Sequence, residues 1–321
     1  MKYLITGGAG FIGSNIAHAL VKKNEDVKII DNFSTGSKRN LADIADKLEL
    51  IDGDIRDFWT VMDAVEGVDY VLHQAALPSV PRSVKNPLTS NDVNINGTLN
   101  LLEASKQAGV KRFVMASSSS VYGDTPELPK RENMWVDPLS PYAVTKLACE
   151  KYCRVFYKLY GLETVCLRYF NIFGPRQDPN SEYAAVIPRF IFSLLDSKQP
   201  VVFGDGEQSR DFTFVDNAVE ANLLATTAEA AAGKYYNIAC GARFTLNALL
   251  DMLREIIDTD IKAKYTPPRQ GDILHSYADI SGAREELNYD PRVDFASGLK
   301  QTVEWFSALH NSHTPAGGIR I

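Results

Sequence analysis

The sequence predicts an α/β fold: a doubly wound, mostly parallel sheet with helices on both faces, followed by a smaller mixed α/β lobe. Three observations predict it. Strand and helix signals alternate from residue 2, a glycine-rich turn joins the first strand to the first helix, and the rhythm breaks after about Asn171. Lys2 to Thr6 reads as a short apolar strand, Gly7 to Gly13 as a turn and Ile12 to Lys23 as a helix. Val27 to Ile30 and Leu48 to Ile51 are the next strands. Thr60 to Val65 is helical, Tyr70 to His73 a strand, and Val93 to Gln107 a long helix. Arg112 to Ala116 is a strand running into four serines, Tyr142 to Tyr160 a helix, and Glu163 to Leu167 a strand. Beyond Asn171, Pro175, Pro179, Pro188, Pro200, Pro267 and Pro268 cut the chain into short pieces, some of which are expected to return to the main sheet.

Composition is ordinary for a globular chain: 45% hydrophobic, 23% charged, over 321 residues. The net charge of −6 carries no basic run interleaved with aromatics, so nothing points to nucleic acid or to a membrane surface. No apolar stretch reaches the ~20 residues of a membrane span, and the N-terminus runs straight into the glycine turn without a signal-peptide pattern. A cytoplasmic protein is expected. Cys149 and Cys153 share a helix face, but no second ligand pair stands at zinc spacing; with Cys166 and Cys240 they read as free thiols, and no metal site is expected.

Thr6-Gly7-Gly8-Ala9-Gly10-Phe11-Ile12-Gly13 carries glycines at a spacing of three and three. The first allows a tight turn, the second a close approach of backbone to a pyrophosphate, and the third close packing of helix on strand. A pyrophosphate would then sit at the positive end of the helix. Eighteen residues after Gly13, Asp31 ends the second strand. A carboxylate there accepts hydrogen bonds from the adenosine ribose and repels a 2′-phosphate, which favours NAD over NADP even though Lys38 and Arg39 follow. The chain is therefore divided into a dinucleotide-binding domain over 1–171, a substrate lobe over 172–309, and an aperiodic tail over 310–321.

A second constellation joins Ser117-Ser118-Ser119-Ser120, at a strand end, to Tyr142 and Lys146, four apart on one helix face. An ammonium beside a phenol favours the phenolate, which then serves as a general base. A serine hydroxyl from the strand end reaches the same substrate oxygen.

With these motifs the chain resembles the extended short-chain dehydrogenase/reductase family and, within it, the nucleotide-sugar 4-epimerases acting on UDP-galactose and its N-acetylhexosamine relatives. The resemblance covers residues 1 to about 306. It rests on the glycine turn, Asp54-Ile55, His73-Gln74-Ala75-Ala76, Asn94-Ile95-Asn96-Gly97-Thr98, the serine run with Val121-Tyr122-Gly123, the Tyr142/Lys146 pair and Arg168-Tyr169-Phe170-Asn171. It implies that Tyr142, assisted by Ser118 (with Ser117 and Ser119 as rivals), deprotonates the sugar 4-hydroxyl while a hydride passes to a tightly held NAD. The resulting 4-keto sugar turns over and is reduced on its other face. Cofactor contacts are implied at Gly7, Gly10, Phe11, Ile12, Gly13, Asp31, Asn32, Ser34 and Gly36. They continue through Asp54, Ile55, Gln74, Ala75, Ala76, Asn94, Ser117, Tyr142, Lys146 and Tyr169.

For the substrate, Arg210 and Arg269 match the family's diphosphate ligands and Asp272 a ribose contact, while Phe203 with Ala185 and Val186 should flank the uracil. Ser79, Arg82, Ser118, Ser119, Tyr142 and Asn171 complete the implied substrate set. Ser276 stands where relatives restricted to plain hexoses carry a bulky tyrosine, so a 2-acetamido group fits. UDP-GlcNAc/UDP-GalNAc interconversion is expected, with UDP-Glc/UDP-Gal as a second pair. UDP-glucuronate is the alternative, because Arg82 suits a carboxylate. Ser119 and Ser120 stand where 4,6-dehydratases need acids, which disfavours elimination. A non-catalytic NAD-sensing module would be expected to lack Tyr142 or Lys146. The family also implies a homodimer through a four-helix bundle of Val93–Gln107 and Tyr142–Tyr160, with Leu99, Leu102, Phe156 and Leu159 facing either the partner or the sheet.

Overall fold

Strand β1 (Lys2–Thr6) lies inside a seven-stranded sheet, with four strands on one side of it and two on the other. A computed structural model describes residues 1–179, 185–268 and 274–313. The first half runs β1, α1 (Phe11–Lys22), β2 (Asp26–Asp31), β3 (Glu49–Asp52), α2 (Phe58–Val65), β4 (Tyr70–His73), α3 (Val80–Lys85), α4 (Pro87–Asn91), α5 (Gly97–Gln107), β5 (Arg112–Ser118), α6 (Pro141–Tyr160) and β6 (Glu163–Tyr169). Then come β7 (Ile172–Phe173), α7 (Val186–Leu195), β8 (Val201–Phe203), β9 (Ser209–Arg210), β10 (Thr213–Phe214), α8 (Val215–Thr227), β11 (Lys234–Ile238), β12 (Phe244–Thr245), α9 (Leu246–Ile257), β13 (Lys264–Thr266), α10 (Ser281–Leu287) and α11 (Phe295–His313). The strand order is β11-β6-β5-β4-β1-β2-β3, all parallel. This is the doubly wound sheet the alternation predicts.

The pleat sorts side chains into two cores. Tyr3 and Ile5 of β1 join one apolar cluster while Leu4 joins the other; Val114 and Phe113 of β5 divide in the same way. Both faces are buried, which is why the strands read as apolar runs rather than alternations. Helices α1 and α8 cover one face, and α2, α5 and α6 the other.

Local chemistry sets the helix ends near the site. Ser140 caps α6, its hydroxyl accepting from the Ala143 amide, with Pro141 at the first turn, and Gly161 ends the helix at φ 73°. Asp57 caps α2 and Asn86 caps α4. The long helix expected over Val93–Gln107 is divided in two: Asp92–Asn96 form a π-helical turn that leads into α5. Asn94 explains this turn. Its amide is spent on Leu77 and on the Thr145 hydroxyl, drawing the backbone toward α6.

Outside the main sheet, strands are two or three residues long and pair two by two: β10 with β7, β12 with β9, and β13 with β8. β11 returns to the main sheet beside β6. α11 continues to His313, so residues 310–313, read in the sequence as the start of a tail, are helical; His310 Nε2 lies 3.0 Å from the Asp196 carboxylate.

Candidate active site

The carboxyl ends of β1, β2, β4, β5 and β6 converge on one cavity of about 1160 Å³, the place where open parallel sheets bind ligands. Its floor is the glycine turn. Gly7 sits at φ +65°, and a Cβ there would lie 2.8 Å from the Ala75 amide; a Cβ on Gly13 would lie 2.3 Å from the Gly7 carbonyl. The turn is therefore as close to strand β4 and to its own helix as backbone allows, with no side chain between cavity and main chain. Gly10, Phe11, Ile12 and Gly13 line it at the start of α1.

Asp31 closes β2. It is buried, and its two oxygens accept from the Ala9 amide at 2.9 Å and the Phe33 amide at 2.8 Å. Burial pushes the carboxyl up from its ordinary range while these amides hold it down. Asn32, Ser34 and Gly36 line the cavity beside it. Asn32 also donates to Asp54 at 2.8 Å, and Arg56 holds the Asp54 carboxyl down at about 2. Ile55, Gln74, Ala75, Ala76, Ser79 and Arg82 line the wall beyond.

Behind that wall two closed hydrogen-bond networks fix the geometry. Tyr169 donates to the Gln74 carbonyl at 3.1 Å, Asn222 donates to the Tyr169 hydroxyl at 2.6 Å, and Gln74 donates to Asn222 at 2.9 Å. His73, fully buried, lies 2.7 Å from the Thr6 hydroxyl and 2.9 Å from that of Thr98. Thr98 spends its proton on the Asn94 carbonyl, and burial together with Lys146 pushes His73 down to about 3. His73 is thus neutral, with its proton on Nε2 toward Thr98 and Nδ1 accepting from Thr6. The Thr6 oxygen in turn accepts the Ala75 amide at 3.1 Å.

Tyr142 and Lys146 line the same cavity, presented by α6. Lys146 Nζ donates to the Ala116 carbonyl at 2.8 Å and lies 6.0 Å from the Tyr142 ring centre. The serine run is divided by its hydrogen bonds. Ser117 lines the cavity, but its hydroxyl proton is committed to Glu150 at 2.6 Å. The Ser118 hydroxyl accepts from the Ser120 amide and the Ser120 hydroxyl, which leaves its own proton to give. Ser118, Ser119 and the buried Asn94 are not among the residues lining the cavity.

A second cavity of about 270 Å³ adjoins the first at Ala185. Asn171, Ala185, Val186, Phe203 and Arg210, all in the implied substrate set, line it together. The Arg189 guanidinium, 5.9 Å from the Phe203 ring centre, joins them. Arg210 donates to the Ser209 and Leu274 carbonyls, which fixes its stem. Ser276, half-buried, lines neither cavity; its amide donates to the Ser209 carbonyl beside Arg210. Arg269 and Asp272 lie outside the described residues.

Several lining residues lie outside the implied site set. Arg176 at φ 68° reaches the large cavity and donates to the Asn15 side chain at 2.9 Å. Phe192, Trp305 and Leu309 reach it from α7 and α11. Nothing in local spacing marks these, because they lie more than 160 residues beyond the glycine turn. Among the described residues no group of three or more His, Cys, Asp or Glu is placed to hold a metal ion, and no helix is long and apolar enough to cross a membrane.

The glycine cradle, the carboxylate at the end of β2 and the size of the cavity fit NAD. The NAD dependent epimerase/dehydratase family model matches residues 3–239. The chain is 43% identical to a UDP-N-acetylglucosamine 4-epimerase from Methanobrevibacter ruminantium M1, solved in complex with UDP-N-acetylmuramic acid; the likeness covers 96% of this chain and 98% of that one, with a TM-score of 0.92. It is 33% identical, with a TM-score of 0.89, to a UDP-glucuronic acid 4-epimerase from Bacillus cereus solved with UDP-glucuronic acid and NAD, over 96% of this chain and 100% of that one. A UDP-glucose 4-epimerase of Mycolicibacterium smegmatis is 38% identical over 310 residues, 95% of this chain and 98% of the relative. The chain belongs to the NAD dependent epimerase/dehydratase family, and its cofactor is NAD.

Proposed function

We propose that this chain is a UDP-sugar 4-epimerase that interconverts UDP-N-acetylglucosamine and UDP-N-acetylgalactosamine, and takes UDP-glucose and UDP-galactose as a second pair. The observation that carries it is the meeting of two cavities at Ala185. One holds the cofactor cradle with Tyr142 and Lys146; the other pairs an aromatic ring, Phe203, with the Arg210 guanidinium, as a uridine diphosphate requires. Tyr142 takes the proton of the sugar 4-hydroxyl. Lys146, held by Ala116, stands 6.0 Å from the centre of the Tyr142 ring and places a positive charge beside it. Ser118 gives its uncommitted proton to the same oxygen, whereas Ser117 is bound to Glu150. NAD, when bound, supplies the group that accepts a hydride from C4 and returns it to the opposite face of the keto sugar.

Three further residues take roles in the same reading. Arg269 and Asp272 complete the diphosphate and ribose contacts, and Ser276, small beside Arg210, leaves room for a 2-acetamido group. The purified protein incubated separately with UDP-GlcNAc, UDP-Glc and UDP-GlcA should give the 4-epimer of the first, more slowly that of the second. No epimer from UDP-GlcNAc would sink the sugar assignment. Because Arg82 lines the cavity, product from UDP-GlcA alone would transfer the assignment to the uronic acid. Tyr142→Phe should lower turnover by ~10²–10⁴-fold with NAD content unchanged; a non-catalytic module would show no turnover to lose.

We also propose a homodimer through α5 and α6. Leu102 and Phe156 are buried and face the sheet, but Val144, Tyr152, Val155 and Leu159 (69% exposed) run along the outer face of α6 at helical spacing. Leu159→Arg should turn a dimer into a monomer in analytical ultracentrifugation. The free cysteines, Cys149, Cys153, Cys166 and Cys240, suit the reducing cytoplasm.

A further inference from the structure

Tyr142, Lys146 and Glu150 stand four apart on α6, so one face of the helix presents a phenol, an ammonium and a carboxylate in order. Strand β5 receives the two charges on adjacent residues: Lys146 on the Ala116 carbonyl and Glu150 on the Ser117 hydroxyl. Lys146, Glu150, Ala116 and Ser117 are buried, and Tyr142 is half-buried. A lone carboxylate there would draw the ammonium toward itself, away from the phenol. Glu150 is instead engaged by Arg168 of β6 in a two-pronged pair: Nε to Oε1 at 2.8 Å and Nη2 to Oε2 at 2.7 Å, with both side chains 1% exposed. Arg168 is itself fixed. It donates to the Tyr122 hydroxyl at 2.9 Å and lies 4.8 Å and 4.1 Å from the ring centres of Tyr122 and Tyr235. Tyr122 passes its proton to Asn237 at 2.6 Å.

The other titratable groups facing this patch do not compete for Lys146. His73 of β4 is neutral. Burial keeps the Cys149 thiol protonated, and the Cys166 thiol of β6 is held up by Cys153 and by burial. Burial pushes Tyr122 and Glu132 up, and Glu132 accepts the Asn237 amide beyond Arg168. From α3, Arg82 lines the same cavity and carries no negative charge to draw Lys146 away.

We propose that Arg168 and Glu150 are positioning residues whose buried ion pair withholds the Glu150 carboxylate from Lys146 and so reserves that ammonium for Tyr142. This rests on Tyr142 being the base of the proposed reaction. It goes beyond that reading in giving a task to a charged pair that touches neither cofactor nor substrate.

The test is the absorbance of tyrosinate at 295 nm against pH in the NAD-loaded protein, each variant read against its own Tyr142→Phe counterpart, so that only the Tyr142 signal remains. Arg168→Met frees Glu150 to pair with Lys146, and the midpoint should rise by ~1 unit. Glu150→Gln leaves the Arg168 charge uncompensated beside Lys146, and the midpoint should fall. The double variant and Arg168→Lys should both lie near the parent protein. A pair that only supports folding would lower Tm and leave every midpoint where it was; unmoved midpoints, or shifts of the same sign in both single variants, overturn the proposal. If Arg168→Met does not fold, the direction of the Glu150→Gln shift decides. The titration needs no sugar, so shifted midpoints without epimer formation would sink the substrate assignment and leave this inference standing.

Discussion

The cofactor half and the substrate half of this molecule are built by different means. The cofactor half hangs from seven parallel strands, and its polar groups close on one another: Tyr169, Gln74 and Asn222 in one ring of hydrogen bonds, Thr6, His73 and Thr98 in a chain. The substrate half has, apart from β11, strands of two or three residues, and one buried carboxylate helps tie its segments together. Asp211, between Arg210 and Phe212, accepts from the amides of Cys240, Gly241 and Ala278. Regular secondary structure positions the first site before any ligand arrives. In the second, one side chain performs the task that a sheet performs in the first.

Substitutions in the two halves should therefore fail differently. Gly13→Ala places a Cβ 2.3 Å from the Gly7 carbonyl. Overpacking of that kind costs about 1–3 kcal/mol, so NAD affinity should drop by up to ~100-fold, with UDP binding little changed in calorimetry of the reloaded protein. Equal loss of both ligands would show the halves to be one coupled site.

Asp211→Asn should do the reverse. An amide in place of the carboxylate turns a donor toward backbone donors, loosening Arg210 and the segment that carries Ser276. KM for the UDP-sugar should rise about tenfold, with NAD content intact. Loss of NAD in this variant would refute the division of labour.

The smallest effect is the finest test, because His73 in the one half and Asp211 in the other should respond to pH with opposite signs. His73, held near 3 when folded against an ordinary 6.5, gives stability that is complete above pH 6.5 and is lost as pH falls toward 3. Burial pushes the Asp211 carboxyl up to about 7, against the backbone amides that lower it. The folded chain then holds that proton more tightly than the unfolded one, and stability declines as pH rises from about 4 to 7. Each slope is bounded by ~1.4 kcal/mol per pH unit. Tm against pH should lose the first slope in His73→Gln and the second in Asp211→Asn; an unchanged profile in either variant removes that residue from the comparison.

The same difference explains what was legible beforehand. The strands from Lys2 to Tyr169 and the cluster of Gly7, Asp31, Gln74, Tyr142 and Lys146 were readable because each follows a strand end or a helical period, and the parallel sheet brings strand ends to one edge. Phe203 and Arg210 were found by resemblance to the family, and the fold brings them to the cavity that adjoins the cofactor site. Phe192, Trp305 and Leu309 carried no signal, and the division of Val93–Gln107 into a π-turn and α5 was invisible because Asn94 answers to Leu77 and Thr145, not to its own helix.

By itself the sequence determined the sheet, the glycine cradle and the phenol–ammonium pair, since these depend on periodicity and on spacings of three or four residues. Only the tertiary structure decided which serine keeps a proton to give, which carboxylate Lys146 is spared, and how Asp211 ties three distant segments. Those are contacts across 18 to 67 residues of chain. Their partners are chosen by what burial brings together and leaves in need of a hydrogen bond, and no local pattern records that choice.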